Sequence, residues 1–106
     1  MIEIREYLDP SGRSPFGLWR ANLDVHARAK VSTALERFSA GNMSQVKGLG
    51  AGVSEMKIDF GPGYRIYFGR DGTEVILLLG GGTKKRQQRD IADAQSRWSD
   101  YKRQKR

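Results

Sequence analysis

Between Glu55 and Gly82 the chain alternates between apolar and polar residues, and this constrains its fold more than any other feature. Met56, Ile58 and Phe60 fall on one side of an extended segment, and Glu55, Lys57 and Asp59 on the other. After Gly61-Pro62-Gly63, the residues Tyr64, Ile66 and Phe68 share a side, opposite Arg65 and Tyr67. A period of two belongs to half-buried strands. The Gly-Pro-Gly and Asp71-Gly72 segments are turn formers, because glycine tolerates positive φ and proline fixes its own. Val75 to Leu79 supplies a third, continuous apolar run. The pattern predicts an antiparallel β-meander with one apolar face. The other face carries Lys57, Arg65 and Tyr67, and function is expected there.

A chain of 106 residues makes one domain, 1–106. With no cysteine it has neither a disulfide framework nor thiolate metal sites. No apolar run approaches the length of a membrane span, so a cytoplasmic protein without membrane contact is expected. Net charge is +7, and from Lys84 to Arg106 nine basic residues against three acidic ones leave +6. Charge concentrated at one end favours a polyanionic partner, nucleic acid before membrane.

Upstream, Ile2 to Leu8 reads as a short strand. Ser14-Pro15 opens a first helix with a side-chain cap and a proline at the first helical position. Asp24 caps a second, Val25 to Ala40, with Ala27, Val31, Ala34, Leu35 and Phe38 as its stripe. Two such short amphipathic helices are unstable alone, so an antiparallel hairpin packed on the apolar face of the meander is expected. Met43 to Gly52, with three glycines, reads as a flexible connector. Gly80-Gly81-Gly82 is expected to let the chain leave the sheet sharply into a last helix, roughly Arg86 to Tyr101. Residues 102–106 are expected to be a disordered tail.

The candidate chemistry is cationic. His26, the single histidine, lies off the apolar stripe and has no second histidine to pair with. The twelve carboxylates are scattered, and no pair is spaced like a metal cage. Histidine-based nucleophile relays and metal sites are therefore disfavoured. What remains is Lys57, Arg65, Tyr67, Lys84, Lys85 and Arg86, with Gln87, Gln88 and Asp90 alongside. Arginine suits planar phosphate recognition, while Lys57 and Arg65 could equally be polar-face residues paired with Glu55 or Asp59.

The order of strand, helical hairpin, meander and terminal helix resembles the RelE/ParE superfamily of toxin–antitoxin toxins. Val53-Ser54-Glu55-Met56-Lys57-Ile58, Gly61-Pro62-Gly63-Tyr64-Arg65-Ile66-Tyr67-Phe68, Leu77-Leu78-Leu79-Gly80-Gly81, Lys84 and Gln88-Arg89-Asp90-Ile91 are similar to its HigB-like "addiction module killer protein" branch. The resemblance extends over residues 14 to 98. It implies an α+β fold and a metal-independent, cofactor-free endoribonuclease that cuts mRNA in the ribosomal A site. By the same resemblance, an adjacently encoded antitoxin, a helix-turn-helix protein, holds the toxin inactive, and operator DNA is reached only through that antitoxin. Carried over, Arg65 would hold the scissile phosphate, Lys57 would activate the 2′-hydroxyl or neutralise charge, and Lys84 or Lys85 would stabilise the leaving oxygen. Arg86, Gln87, Gln88 and Arg89 would bind RNA. Glu55 stands where RelE has a second lysine, and Ile91 where RelE has a tyrosine. This leaves Tyr67, Glu55 and Asp90 as candidates for acid and base. Two alternatives remain: a ParE-like gyrase inhibitor without nuclease activity, and a non-catalytic basic nucleic-acid-binding protein of phage origin.

Overall fold

The computed structural model describes residues 2–105. Its elements are β1 (Glu3–Glu6), α1 (Pro15–Ala21), α2 (Val25–Ser39), β2 (Val46–Gly50), β3 (Val53–Ile58), β4 (Tyr64–Asp71), β5 (Val75–Thr83), a 3-10 turn (Lys84–Arg86) and α3 (Gln87–Gln104). The fold is α+β, built on a mixed five-stranded sheet of order β1-β5-β4-β3-β2. β2 to β5 form an antiparallel meander, and β1 joins β5 in parallel at the far edge.

Local chemistry starts both hairpin helices where expected. Ser14 accepts from the Gly17 amide and Asp24 from the Ala27 amide, each satisfying a first-turn donor. α1 and α2 lie on one face of the sheet, where Phe16, Val31 and Phe38 pack with Met56, Ile66, Phe68 and Leu78. Phe38 and Phe68 meet at a centroid distance of 4.9 Å.

Four expectations are corrected. The Met43–Gly52 segment is not a flexible connector throughout, because Val46–Gly50 pairs antiparallel with β3 as an edge strand. Its glycines hid it, since they contribute no side-chain alternation. The triple glycine does not end the sheet; it belongs to β5, which continues to Thr83. The face opposite the hairpin is not open either. α3 lies across it, burying Val53, Tyr67, Leu77 and Leu79 under Ala94 and Trp98. α3 also runs through Lys102 and Arg103 to Gln104, where a disordered tail was expected; residue 106 of that tail lies outside the described residues.

The glycines of β5 are explained by close approach. A Cβ on Gly81 would overlap the Trp19 ring, and one on Gly82 would overlap the Asp90 carboxylate. On Gly80 it would stand 2.8 Å from an Arg97 guanidinium nitrogen. At this point the β4–β5 register slips: Tyr67 faces Gly80 and Phe68 faces Leu78, so Leu79 has no partner on β4. A bulge of this kind leaves ladder groups unpaired, and Arg97 donates to the Leu79 carbonyl at 2.9 Å. Toward its C-terminus α3 is tied by Tyr7 donating to Asp100 at 2.5 Å and Tyr101 donating to Asp71 at 2.5 Å.

We expect Gly81→Ala to destabilise the fold by about 2 kcal/mol through overpacking against Trp19. Urea unfolding measures this, and an unchanged midpoint would show that the indole yields freely.

Candidate phosphate-binding site

β3 and β4 bring Lys57 and Arg65 opposite each other across the ladder, next to Glu55 opposite Tyr67. On the other flank of β4, Arg65 is opposite Gly82, two residues before Lys84. The Gly61-Pro62-Gly63 turn closes the end. The Gly63 amide donates to the Phe60 carbonyl at 3.0 Å, and Gly61 has a φ of +55°, a conformation that favours glycine. Together these segments line a shallow depression of about 420 Å³, with Lys57, Arg65 and Lys84 on its walls. Asp59 and Phe60 line it as well; the sequence offers Asp59 only as a pairing partner and Phe60 only as an apolar residue. Their signal was position: they directly precede the turn.

The remaining candidates divide. Lys85 and Arg86 are exposed on the 3-10 turn, and Gln88 and Arg89 are exposed on the first turn of α3. None of these four lines the depression. Gln87 turns inward and donates to Glu55 at 3.3 Å. Asp90 is half-buried and rests on Gly82. His26 is exposed on α2. Among the described residues, no group of three or more histidine or carboxylate side chains gathers in a way that could hold a metal ion.

Arg65 and Glu55 are 8% and 5% exposed, and Arg65 Nε stands 3.5 Å from a Glu55 carboxylate oxygen. That distance makes an ion pair but not a hydrogen bond, and Arg65 Nε has no hydrogen-bond partner among the described residues. The pairing with Glu55, one of the two open readings, is thus present, while Arg65 still reaches the depression. Lys57 is more exposed and pairs with Asp59 at 3.5 Å. One buried guanidinium and two exposed ammonium groups lining one hollow suit a phosphate, which the arginine can grip by its planar edge.

Tyr67 is corrected most clearly. It was expected on a working face, yet it is 0% exposed beneath α3 and its hydroxyl has no hydrogen-bond partner among the described residues. Burial first, then the negative charges of Asp90 and Glu55, push its pKa up to about 12, against the opposing effect of Arg65. A sealed phenol that holds its proton so firmly cannot accept one from a substrate. Asp90 is also shifted upward, chiefly by burial, although Arg86, Arg97 and Arg89 oppose the shift.

Two substitutions test this electrostatic arrangement. Tyr67→Phe removes a buried hydroxyl that satisfies nothing, so we expect a gain in stability of about 1 kcal/mol, with a loss counting against the assignment. For Asp90, a folded-state pKa above the unfolded one means that folding favours the protonated form. The penalty is absent below the unfolded value and complete once pH has risen past the folded value. We therefore expect Asp90→Asn to raise the melting temperature near neutral pH, with the gain vanishing below about pH 4. Calorimetry across that window measures it.

No protein-family model matches this chain. An uncharacterized protein of Haemophilus influenzae is 35% identical over 80 residues, which is 74% of this chain and 81% of that protein. The chain therefore belongs to the same family as this Haemophilus influenzae protein.

Proposed function

We propose that the protein is a RelE-like toxin of a type II toxin–antitoxin system, acting as a metal-independent endoribonuclease on translated mRNA. The observation that carries this reading is the convergence of Lys57, Arg65 and Lys84 on one depression. They are among the positions at which the resemblance expects phosphate chemistry, Lys85 being the other residue it offered for the leaving oxygen. In the reaction, the ribose 2′-oxygen attacks the adjoining phosphorus while the bond from phosphorus to the 5′-oxygen breaks. The products are a 2′,3′-cyclic phosphate and a 5′-hydroxyl. Asp59, the carboxylate in the lining, accepts the 2′ proton, and the Lys84 ammonium donates one to the departing 5′-oxygen. Both groups return to their starting states by exchange with water. Arg65 and Lys57 offset the charge that builds on the phosphoryl oxygens.

A depression this open does little to align a flexible strand, so in-line geometry has to come from elsewhere. The ribosome holding its message would supply it, and free RNA is then a poor substrate. Lys85, Arg86, Gln88 and Arg89, exposed on the 3-10 turn and the first turn of α3, would hold ribosomal RNA with a marked salt dependence. Neutralisation by an antitoxin rests on the resemblance alone.

Controlled expression in bacteria, with 5′-end mapping of a reporter message, tests the reading. Lys84→Ala and Lys57→Ala are suitable variants because both side chains are exposed. Arg65→Ala is less suitable, since it would leave Glu55 buried and unpaired. We expect growth arrest with new 5′ ends inside codons, dependent on translation initiation and reduced roughly a hundredfold by Lys84→Ala. Arrest without cleavage would sink the nuclease reading and favour a topoisomerase target. No arrest from folded protein would favour a non-catalytic binding module.

A further inference from the structure

A second concavity opens beside the first. It is a groove of about 350 Å³ between α2, the 42–45 segment and β3, and Lys57 and Asp59 line both hollows. The wall between them is continuous. Lys30, from the groove, places its ammonium 5.2 Å from the ring centroid of Phe60, which lines the depression.

The chemistry of the groove differs from that of the depression. Its floor includes the buried side chains of Met56 and Ile58. Thr33 and Gln45 stand on its walls, and among the described residues neither side chain makes a hydrogen bond. Lys30 and Arg37 stand at its rim, and among the described residues neither takes part in an ion pair. Asp59 is the carboxylate of this lining, and Lys57 partners it. An apolar floor, a carboxamide that both donates and accepts, a hydroxyl and two uncompensated cations match a flat heteroaromatic ring attached to a phosphodiester.

We propose that this groove is a base-reading subsite. It takes the base of the nucleotide next to the phosphate held by Lys57, Arg65 and Lys84, while Lys30 and Arg37 hold the following phosphate. The ligand is single-stranded, because a base must leave its stack to present an edge to Gln45 and Thr33, and it is RNA by the proposed function. The inference rests on the depression being the phosphate site, and it assigns selectivity to residues outside the cationic cluster.

The test is fluorescence anisotropy at fixed salt with labelled 2′-O-methyl hexanucleotides of A, C or U, which cannot be cleaved, and an abasic hexamer. Thermal melts followed by circular dichroism confirm folding of each protein. We expect the wild type to spread its affinities across the three bases by roughly tenfold. Thr33→Val with Gln45→Ala should abolish the spread and leave abasic binding unchanged. Lys84→Ala should weaken all four probes alike and lower the slope of log affinity on log salt by about 0.7. If the spread survives the Thr33/Gln45 variant while Lys84→Ala weakens every probe, the groove assignment is overturned and the phosphate site stands. If the wild type shows no spread, or the double variant weakens the abasic probe as much as the others, the groove is not a base site. If Lys84→Ala changes nothing, the reading of the depression itself fails.

Discussion

Backbone that carries no side chain is the constraint on which this molecule depends. A single central sheet can hold helices on both faces only if their side chains find room, and here β5 provides much of it. The Trp19 indole rests on Gly81 from the hairpin side, while Asp90 and Arg97 rest on Gly82 and Gly80 from the α3 side. Trp98 sits the same way against Gly52 and Gly69. At Gly81, Gly52 and Gly69 the contact is with an indole ring at a distance that even an alanine would obstruct. Without this strip α3 would stand away from the sheet, and the face bearing Arg65 and Tyr67 would be open to water.

Closing that face changes the meaning of the residues on it. In water, Glu55 and Arg65 would be an unremarkable surface pair worth little. Under the first turn of α3 they are charges removed from solvent, which must be matched locally. Gln87 contributes a hydrogen bond to Glu55, while Arg65 extends toward the depression shared with Lys57 and Lys84. The result is a guanidinium whose position is set by packing, next to two more exposed ammonium groups, one of them paired with Asp59. For phosphate recognition this is a useful division, because a fixed planar donor supplies direction and flexible cations supply charge.

Much of this was legible in the residues. Ser14-Pro15 and Asp24 marked the helix starts because capping is a local interaction, satisfied by atoms three residues away. Alternation placed β3 and β4 because burying one face of a strand leaves a period of two. The cations Lys57, Arg65 and Lys84 could be named because one histidine, no cysteine and scattered carboxylates leave little other chemistry, and because the resemblance points to these positions. β2 was invisible because it is a glycine-containing edge strand held by backbone bonds, which any sequence can make. The full length of β5 was missed because three glycines, read locally, signal a break.

The sequence by itself determined the helix starts, the turns, the alternating strands and the identity of the charged groups, since these follow from neighbours along the chain. The tertiary structure alone decided which face of the meander was sealed and which polar residues stayed reachable. Arg65 and Tyr67 look equivalent in the sequence, two residues apart on one side of one strand. The placement of α3 separates them, leaving the arginine at the edge of a hollow and the phenol enclosed. Solvent access depends on which distant segment packs above a residue, and that information lies in contacts far apart along the chain.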